Sequence, residues 1–136
     1  MQAAAAGLSD AEMAALAEHF AAAEAPVPPP DAGPDPAVLA LGREIALTGI
    51  AADGIPACAT CHGPRAGERH PLYPDLAGQY ADYIELQLWA WRREVRGGTP
   101  FAPIMRTIAD RLNDDQARAV ALYYQSLGAD GRDAGP

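Results

Sequence analysis

The sequence has few basic residues, few aromatic residues and no long apolar run. Ten Lys and Arg residues stand against eighteen Asp and Glu, giving a formal net charge of -8 at pH 7. This charge has the wrong sign for binding a phosphate backbone, so no nucleic-acid partner is expected. No stretch approaches the roughly 20 consecutive apolar residues that span a bilayer, so no membrane span is expected either.

Phenylalanine is also scarce, with two residues in 136, whereas glycine and proline each occur thirteen times. Such a composition predicts many loops and a core with little aromatic mass, which a large buried cofactor would supplement. The length suits one compact domain with some sequence to spare. Residues 1–24 lack Lys and Arg, unlike the basic start of a secretory signal, so no export signal is recognised in this numbering.

The N-terminal third of the chain predicts two helices joined by a linker. Ser9 and Glu12 have the spacing of a capping box, and apolar residues at helical intervals predict a helix over 10–23. Residues 25–35 are rich in proline and predict an extended linker. An Asp-Pro pair then opens a helix predicted over 36–48.

The remainder predicts loops that alternate with two further helices. Residues 51–78 are dense in glycine and proline and predict an ordered loop. Helical spacing returns over 79–95, a Pro-containing loop over 99–104 leads to Met105, and a capped helix follows over 113–127. No alternating strand pattern is visible, so the predicted fold class is all-α.

The first and last predicted helices share a sequence pattern. Residues 8–10 (Leu-Ser-Asp) recur 104 positions later as residues 112–114 (Leu-Asn-Asp), and the same offset pairs Phe20 with Tyr124. Repeats of this kind indicate duplicated domains. Two alanine-rich capped helices can also look alike by chance, and that alternative stays open here.

Residues 58–62 carry the C-x-x-C-H motif, which is the attachment signature of c-type haem. On one helical turn both thiols, Cys58 and Cys61, can form thioethers with the haem while His62 ligates the iron. The alternatives are a disulfide, a zinc site that includes His70, and a chance pair of thiols. The histidine directly after the second cysteine favours haem.

Met105 is the predicted sixth ligand of the iron, with His70 or an open site as alternatives. A thioether ligand raises the reduction potential relative to a second imidazole, which indicates electron transfer. An open site would instead indicate a haem-based sensor or a peroxidase. Five residues are candidate haem neighbours, with plain core packing as the alternative for each: Tyr73, Leu76, Tyr83, Trp89 and Ile104.

Residues 36–128 resemble a class I cytochrome c domain, with its N-terminal helix, C-x-x-C-H motif, middle helix, methionine loop and C-terminal helix. Several segments are similar to the two-haem cytochromes of the c-four group, namely residues 61–64, 74–79, 83–84 and 87–88. The resemblance implies about three main helices around one covalent haem c, plus an extra N-terminal helix. It also implies that Pro71 supplies the carbonyl that orients His62, and that Gly42 meets Tyr123 or Tyr124 where the terminal helices cross.

The same resemblance implies that electrons pass to a terminal oxidase in the periplasm. The sequence shows no other cluster of His, Cys and carboxylate residues that is typical of a catalytic site, so we expect an electron carrier rather than an enzyme, either alone or as the cytochrome subunit of a larger oxidoreductase. Its partners would be a donor dehydrogenase or quinol-oxidising complex and an acceptor oxidase. Residues 1–24 would be the last helix of a missing upstream haem domain, 25–35 a linker, 36–129 the haem domain and 130–136 a disordered tail. The helix over 10–23 would then be covered by an upstream haem domain or by a partner.

Overall fold

The computed structural model describes residues 2–23, 33–63 and 72–128. Within these ranges the chain forms α-helices and one 3-10 turn at Ala51–Asp53, with an isolated bridge between Ile50 and Ile55 and no strand. The helices are α1 Gln2–Ala5, α2 Asp10–Ala22, α3 Pro36–Thr48, α4 Ala59–His62, α5 Ala81–Arg92, α6 Ala102–Arg111 and α7 Asp114–Ser126. This architecture confirms the all-α prediction. None of these described helices is long and apolar enough to cross a membrane.

Helix starts follow the caps that the sequence predicts. In α2 the Ser9 side chain accepts from the Glu12 N–H, and in α7 the Asn113 side chain accepts from the Gln116 N–H. Both are complete capping boxes, and both helices run for 13 residues. The Asp35 side chain likewise accepts from the Ala37 N–H at the start of α3. These bonds satisfy backbone donors that a helix start leaves without partners.

Three predicted segments differ from the structure. Helix α5 runs over Ala81–Arg92 rather than 79–95, because the chain turns at Glu94, whose φ is 58°. In the segment predicted as a loop over 99–104, the last three residues belong to α6, Ala102–Arg111. Pro103 stands in the first turn of α6, where its missing N–H removes no helical hydrogen bond. The predicted loop over 51–78 likewise contains α4 and the 3-10 turn.

The core lies where α3, α5, α6 and α7 pack together. Helices α3 and α7 cross so closely that a Cβ placed on Gly42 would lie 2.0 Å from the Ala119 carbonyl oxygen and 2.9 Å from the Tyr123 Cβ. This confirms the contact between Gly42 and Tyr123 that the resemblance implied. The deepest side chains are Tyr124, Ile45, Ile55 and Leu127. Helix α2 contributes no buried residue.

Candidate haem site

Helix α4 is a single turn that brings the C-x-x-C-H residues to one wall of a cleft. The His62 N–H donates to the Cys58 carbonyl at 2.9 Å, and the Cys61 N–H donates to the same carbonyl at 3.2 Å. All three side chains line the cleft. The turn therefore presents two sulfur atoms and one imidazole to a single bound group.

The imidazole of His62 is oriented by a backbone carbonyl. Its Nδ1 lies 2.9 Å from the Pro74 oxygen, and the Tyr73 ring packs edge-on against it at 5.7 Å between centroids. Burial lowers the pKa of His62, which favours the neutral ring. A neutral ring that donates through Nδ1 leaves the lone pair of Nε2 for a metal ion.

The prediction of Pro71 as this hydrogen-bond partner was wrong, since the accepting carbonyl belongs to Pro74. Pro71 itself, like His70, lies outside the described residues. Two prolines follow His70 in the same loop, and residue spacing does not tell which carbonyl turns towards the ring. The expected hydrogen bond from the imidazole to a proline carbonyl is nevertheless present, at Pro74.

The two thiols are half-buried and are not joined to each other. Burial raises the pKa of Cys58 to about 11, and its Sγ contacts the Ile45 carbonyl at 3.9 Å. In the described part of the chain, no group of three or more His, Cys, Asp or Glu side chains could hold a metal ion by itself. His70, which the zinc alternative includes, lies outside the described residues.

The rest of the cleft is almost entirely apolar. Of the candidate neighbours, Tyr73, Leu76 and Ile104 line it, and so does Met105, the fourth residue of α6. Sequence reasoning missed several further lining residues: Pro56, Ala57, Ile84, Leu88, Ile108, Leu112, Val120 and Tyr124. Four of these residues could have been found from their spacing. Ile84 and Leu88 on α5, like Val120 and Tyr124 on α7, are four positions apart, and residues so spaced share one helix face.

Tyr83 and Trp89, predicted as haem neighbours, do not line the cleft. Their exposures are 48% and 49%, whereas Ile84 and Leu88, the adjacent residues on α5, are buried and face it. One position along a helix rotates a side chain by about 100°, so a pattern shifted by one residue selects the wrong face. The Trp89 ring instead lies under the Arg93 guanidinium, 5.8 Å from its centroid.

A haem fits this cleft on three structural grounds. The lining is apolar, as a porphyrin requires, and His62 offers a free nitrogen. The third ground is the Tyr124 hydroxyl, a buried polar atom that has no hydrogen-bond partner among the described residues. Buried hydroxyl groups are normally paired, so this atom indicates a missing bound group.

Residues 40–128 match the sequence model of the cytochrome c family. The chain belongs to the cytochrome c family. Its one C-x-x-C-H site, at Cys58, Cys61 and His62, indicates one covalent haem c, which confirms the cofactor prediction. Within the family its relatives include cytochromes c4, which are two-haem class I cytochromes, as the resemblance implied.

The chain is 41% identical over 131 residues to the thiosulfate dehydrogenase electron acceptor of Stutzerimonas stutzeri (strain A1501), covering 94% of this chain and 58% of that protein. It is 35% identical over 120 residues to cytochrome c4 of Azotobacter vinelandii, covering 88% and 55%. The solved cytochrome c4 of Acidithiobacillus ferrooxidans superposes with a TM-score of 0.73 at 34% identity, covering 93% and 71%. The chain thus spans little more than half the length of these curated relatives.

The similarity includes the N-terminal segment. Residues 36–136 make up roughly three quarters of the chain, whereas the matches to the S. stutzeri and A. ferrooxidans proteins cover 94% and 93% of it. Both matches must therefore extend well into the residues before α3. The segment that carries α2 is accordingly part of what this chain shares with its relatives.

Proposed function

We propose that this chain is a periplasmic carrier of single electrons whose haem iron is held by His62 and Met105. The observation that carries the proposal is that both side chains line the same, otherwise apolar cleft. A thioether ligand in an apolar pocket favours reduced iron and keeps water away from it. Such a haem exchanges electrons without binding or transforming a substrate.

The position of Met105 is fixed by its helix. The Arg92 side chain of α5 donates to the Ala109 carbonyl at 3.1 Å and to the Leu112 carbonyl at 2.7 Å, at the C-terminal end of α6. It also pairs with Asp114 of α7 at 2.8 Å. One guanidinium thus joins α5, α6 and α7, and it supports the helix on which Met105 faces the cleft.

We further propose a dehydrogenase as the electron donor and an oxidase as the acceptor. Two relatives are named as electron acceptors of thiosulfate dehydrogenase, and a solved thiosulfate dehydrogenase from Marichromatium purpuratum contains a similar region, with a TM-score of 0.66. The net charge of -8 would steer a donor that presents a basic patch. A thiosulfate dehydrogenase is therefore the donor to test first.

Stopped-flow spectroscopy tests this choice. The ferric protein is mixed with a thiosulfate dehydrogenase and thiosulfate, with thiosulfate alone as the control. Reduction of the haem within the turnover time of the enzyme, slowing as salt is added, supports the proposed donor. No reduction by this enzyme, together with reduction by a quinol-oxidising complex, would contradict the dehydrogenase and leave the carrier function intact.

Carbon monoxide distinguishes a carrier from a sensor or peroxidase. An iron with an open sixth site binds carbon monoxide rapidly when ferrous, whereas Met105 ligation blocks that position. We expect no rapid binding to the wild-type protein and rapid binding to Met105→Ala. Equal, rapid binding to both proteins would contradict the proposed carrier.

We propose that α2 is the last helix of an upstream haem domain. Helix α2 shares its length and capping box with α7, and at the common offset Leu16 and Phe20 correspond to Val120 and Tyr124, which line the haem cleft. In α2 those two side chains are 42% and 70% exposed. An apolar stripe of this kind is suited to the cleft of another haem domain.

A further inference from the structure

The two iron ligands lie on helices that pack against different neighbours. Helix α6, which carries Met105, packs chiefly against α5, whereas α4, which ends at His62, packs against α3. Both side chains line the cleft. A movement of α6 away from α3 and α4 would therefore draw Met105 away from the iron, so any direct bond between the two walls bears on the sixth ligand.

Arg111, the last residue of α6, makes such a bond. Its Nη1 donates to the Gly54 carbonyl at 2.7 Å. Gly54 has a φ of 64°, and a Cβ placed on it would lie 2.5 Å from the same Arg111 nitrogen. The absence of a side chain at this position therefore allows the guanidinium to approach the backbone. A hydrogen bond with a charged donor is stronger than one between neutral groups.

The loop that accepts this bond leads directly into the attachment turn. Ile50 and Ile55 exchange two backbone hydrogen bonds, of 2.8 and 3.0 Å, and the Ile55 side chain is buried in the core. Pro56 and Ala57 then line the cleft immediately before Cys58. The Arg111 bond thus joins the methionine helix to a well-packed part of the wall that holds the attachment residues.

The other end of α6 contacts the same wall through aromatic rings. Phe101 directly precedes α6, and its ring lies 6.5 Å from the Tyr73 ring between centroids. The Tyr73 ring in turn packs against His62. Met105 therefore lies between an aromatic contact four residues before it and the Arg111 bond six residues after it.

We propose that Arg111 is a positioning residue for the sixth ligand, and that its bond to Gly54 holds α6 against the attachment wall and keeps external ligands from the iron. A state in which Met105 has moved away from the iron loses this hydrogen bond, so the bond makes that state less populated. The inference rests on the proposed ligation of the iron by Met105. It requires no contact between Arg111 and the haem.

Imidazole binding to the ferric protein tests the inference, because imidazole takes the sixth position only after Met105 has left it. At high imidazole concentration the observed rate reaches a limit, which is the rate at which the iron–sulfur bond opens. We expect Arg111→Ala to raise this limiting rate about fivefold, the factor that corresponds to one hydrogen bond of ordinary net strength. Arg111→Lys keeps a charged donor and should restore part of the difference.

Arg106→Ala is the matched control. Arg106 is on the same helix, next to Met105, but it pairs with Glu94 and with Asp110, so its ion pairs do not reach the attachment wall. Its removal should leave the limiting rate unchanged. An equal rise for Arg106→Ala and Arg111→Ala would overturn the proposal, because general loosening of α6 would then explain both.

Gly54→Ala tests the partner of Arg111, since the added methyl group would displace the guanidinium. It should raise the limiting rate in the wild-type background and do so less in the Arg111→Ala background, where the bond is already absent. Independent effects of the two substitutions would overturn the proposal, as would a limiting rate of Arg111→Ala equal to that of wild type. Wild-type protein that binds imidazole with no rate limit would contradict Met105 ligation itself, which distinguishes failure of the proposed function from failure of the role of Arg111.

Discussion

Gly42 and Ala119 lie in direct backbone contact, because a Cβ on Gly42 would come within 2.0 Å of the Ala119 carbonyl oxygen. The neighbouring atom is backbone and cannot rotate away, so α3 and α7 would have to separate. We expect Gly42→Ala to lower the free energy of unfolding by about 3 kcal/mol. Gly97→Ala is the matched control, since nothing lies within 4 Å of its Cβ position. Equal denaturation midpoints for the two variants would contradict this packing.

Arg92 provides a second test, on the support of the helix that carries Met105. Arg92→Ala removes two hydrogen bonds to carbonyls at the end of α6 and the ion pair with Asp114. We expect a loss of about 2 kcal/mol in chemical denaturation, and loss of the iron–sulfur bond at a lower temperature than in wild type.

The control for this second test is Arg93→Ala. Arg93 stacks over the exposed Trp89 ring, so its removal should cost less than about 1 kcal/mol. If the two arginine variants lose the iron–sulfur bond at the same temperature, Arg92 does not support Met105.

A third prediction concerns alkaline pH. Burial raises the pKa of Tyr124 above its usual value of 10.0, so the folded protein keeps a proton that the unfolded chain releases. The stability contributed by this neutral phenol is present below about pH 10 and is lost as the pH rises. The stability of wild type relative to Tyr124→Phe should therefore fall by about 1.4 kcal/mol per pH unit above pH 10. A difference that stays constant from pH 8 to pH 11.5 would count against the burial of this group.

Helix α2 gives a fourth prediction, with α7 as an internal control of equal length and capping. No α2 residue is buried, whereas seven residues of α7 are. Hydrogen exchange monitored by mass spectrometry should show α2 amides exchanging orders of magnitude faster than α7 amides in the isolated chain. Equal protection of the two helices would mean that α2 is packed against something in that state.

Local chemistry made much of this fold predictable from sequence. Ser9, Asp35 and Asn113 are N-cap residues in the structure because their side chains accept backbone hydrogen bonds within three positions, which sequence spacing alone reveals. The attachment turn is equally local, since Cys58, Cys61 and His62 lie within five consecutive residues. The attachment motif alone therefore identifies the cofactor.

The features that were missed depend on contacts between distant residues. Pro74 rather than Pro71 accepts from His62 because of the path of a loop, and no residue pattern encodes that path. Ile84 and Leu88, rather than Tyr83 and Trp89, face the cleft because of how α5 is rotated against α6 and α7. Met105 lies in a helix and not in the predicted loop. The prediction failed because a proline such as Pro103 is compatible with the first turn of a helix as well as with a loop.

The central claim, haem ligation by Met105, is tested most directly by optical spectra of protein from a host that attaches haem, with Met13→Ala as the control methionine. Wild type and Met13→Ala should show the weak long-wavelength band of sulfur bound to ferric iron, and Met105→Ala should lack it while keeping the covalent haem. Met13 is 44% exposed on α2, whereas Met105 lines the cleft. A band that persists in Met105→Ala, or that is missing from wild type, would contradict the proposed His62 and Met105 ligation.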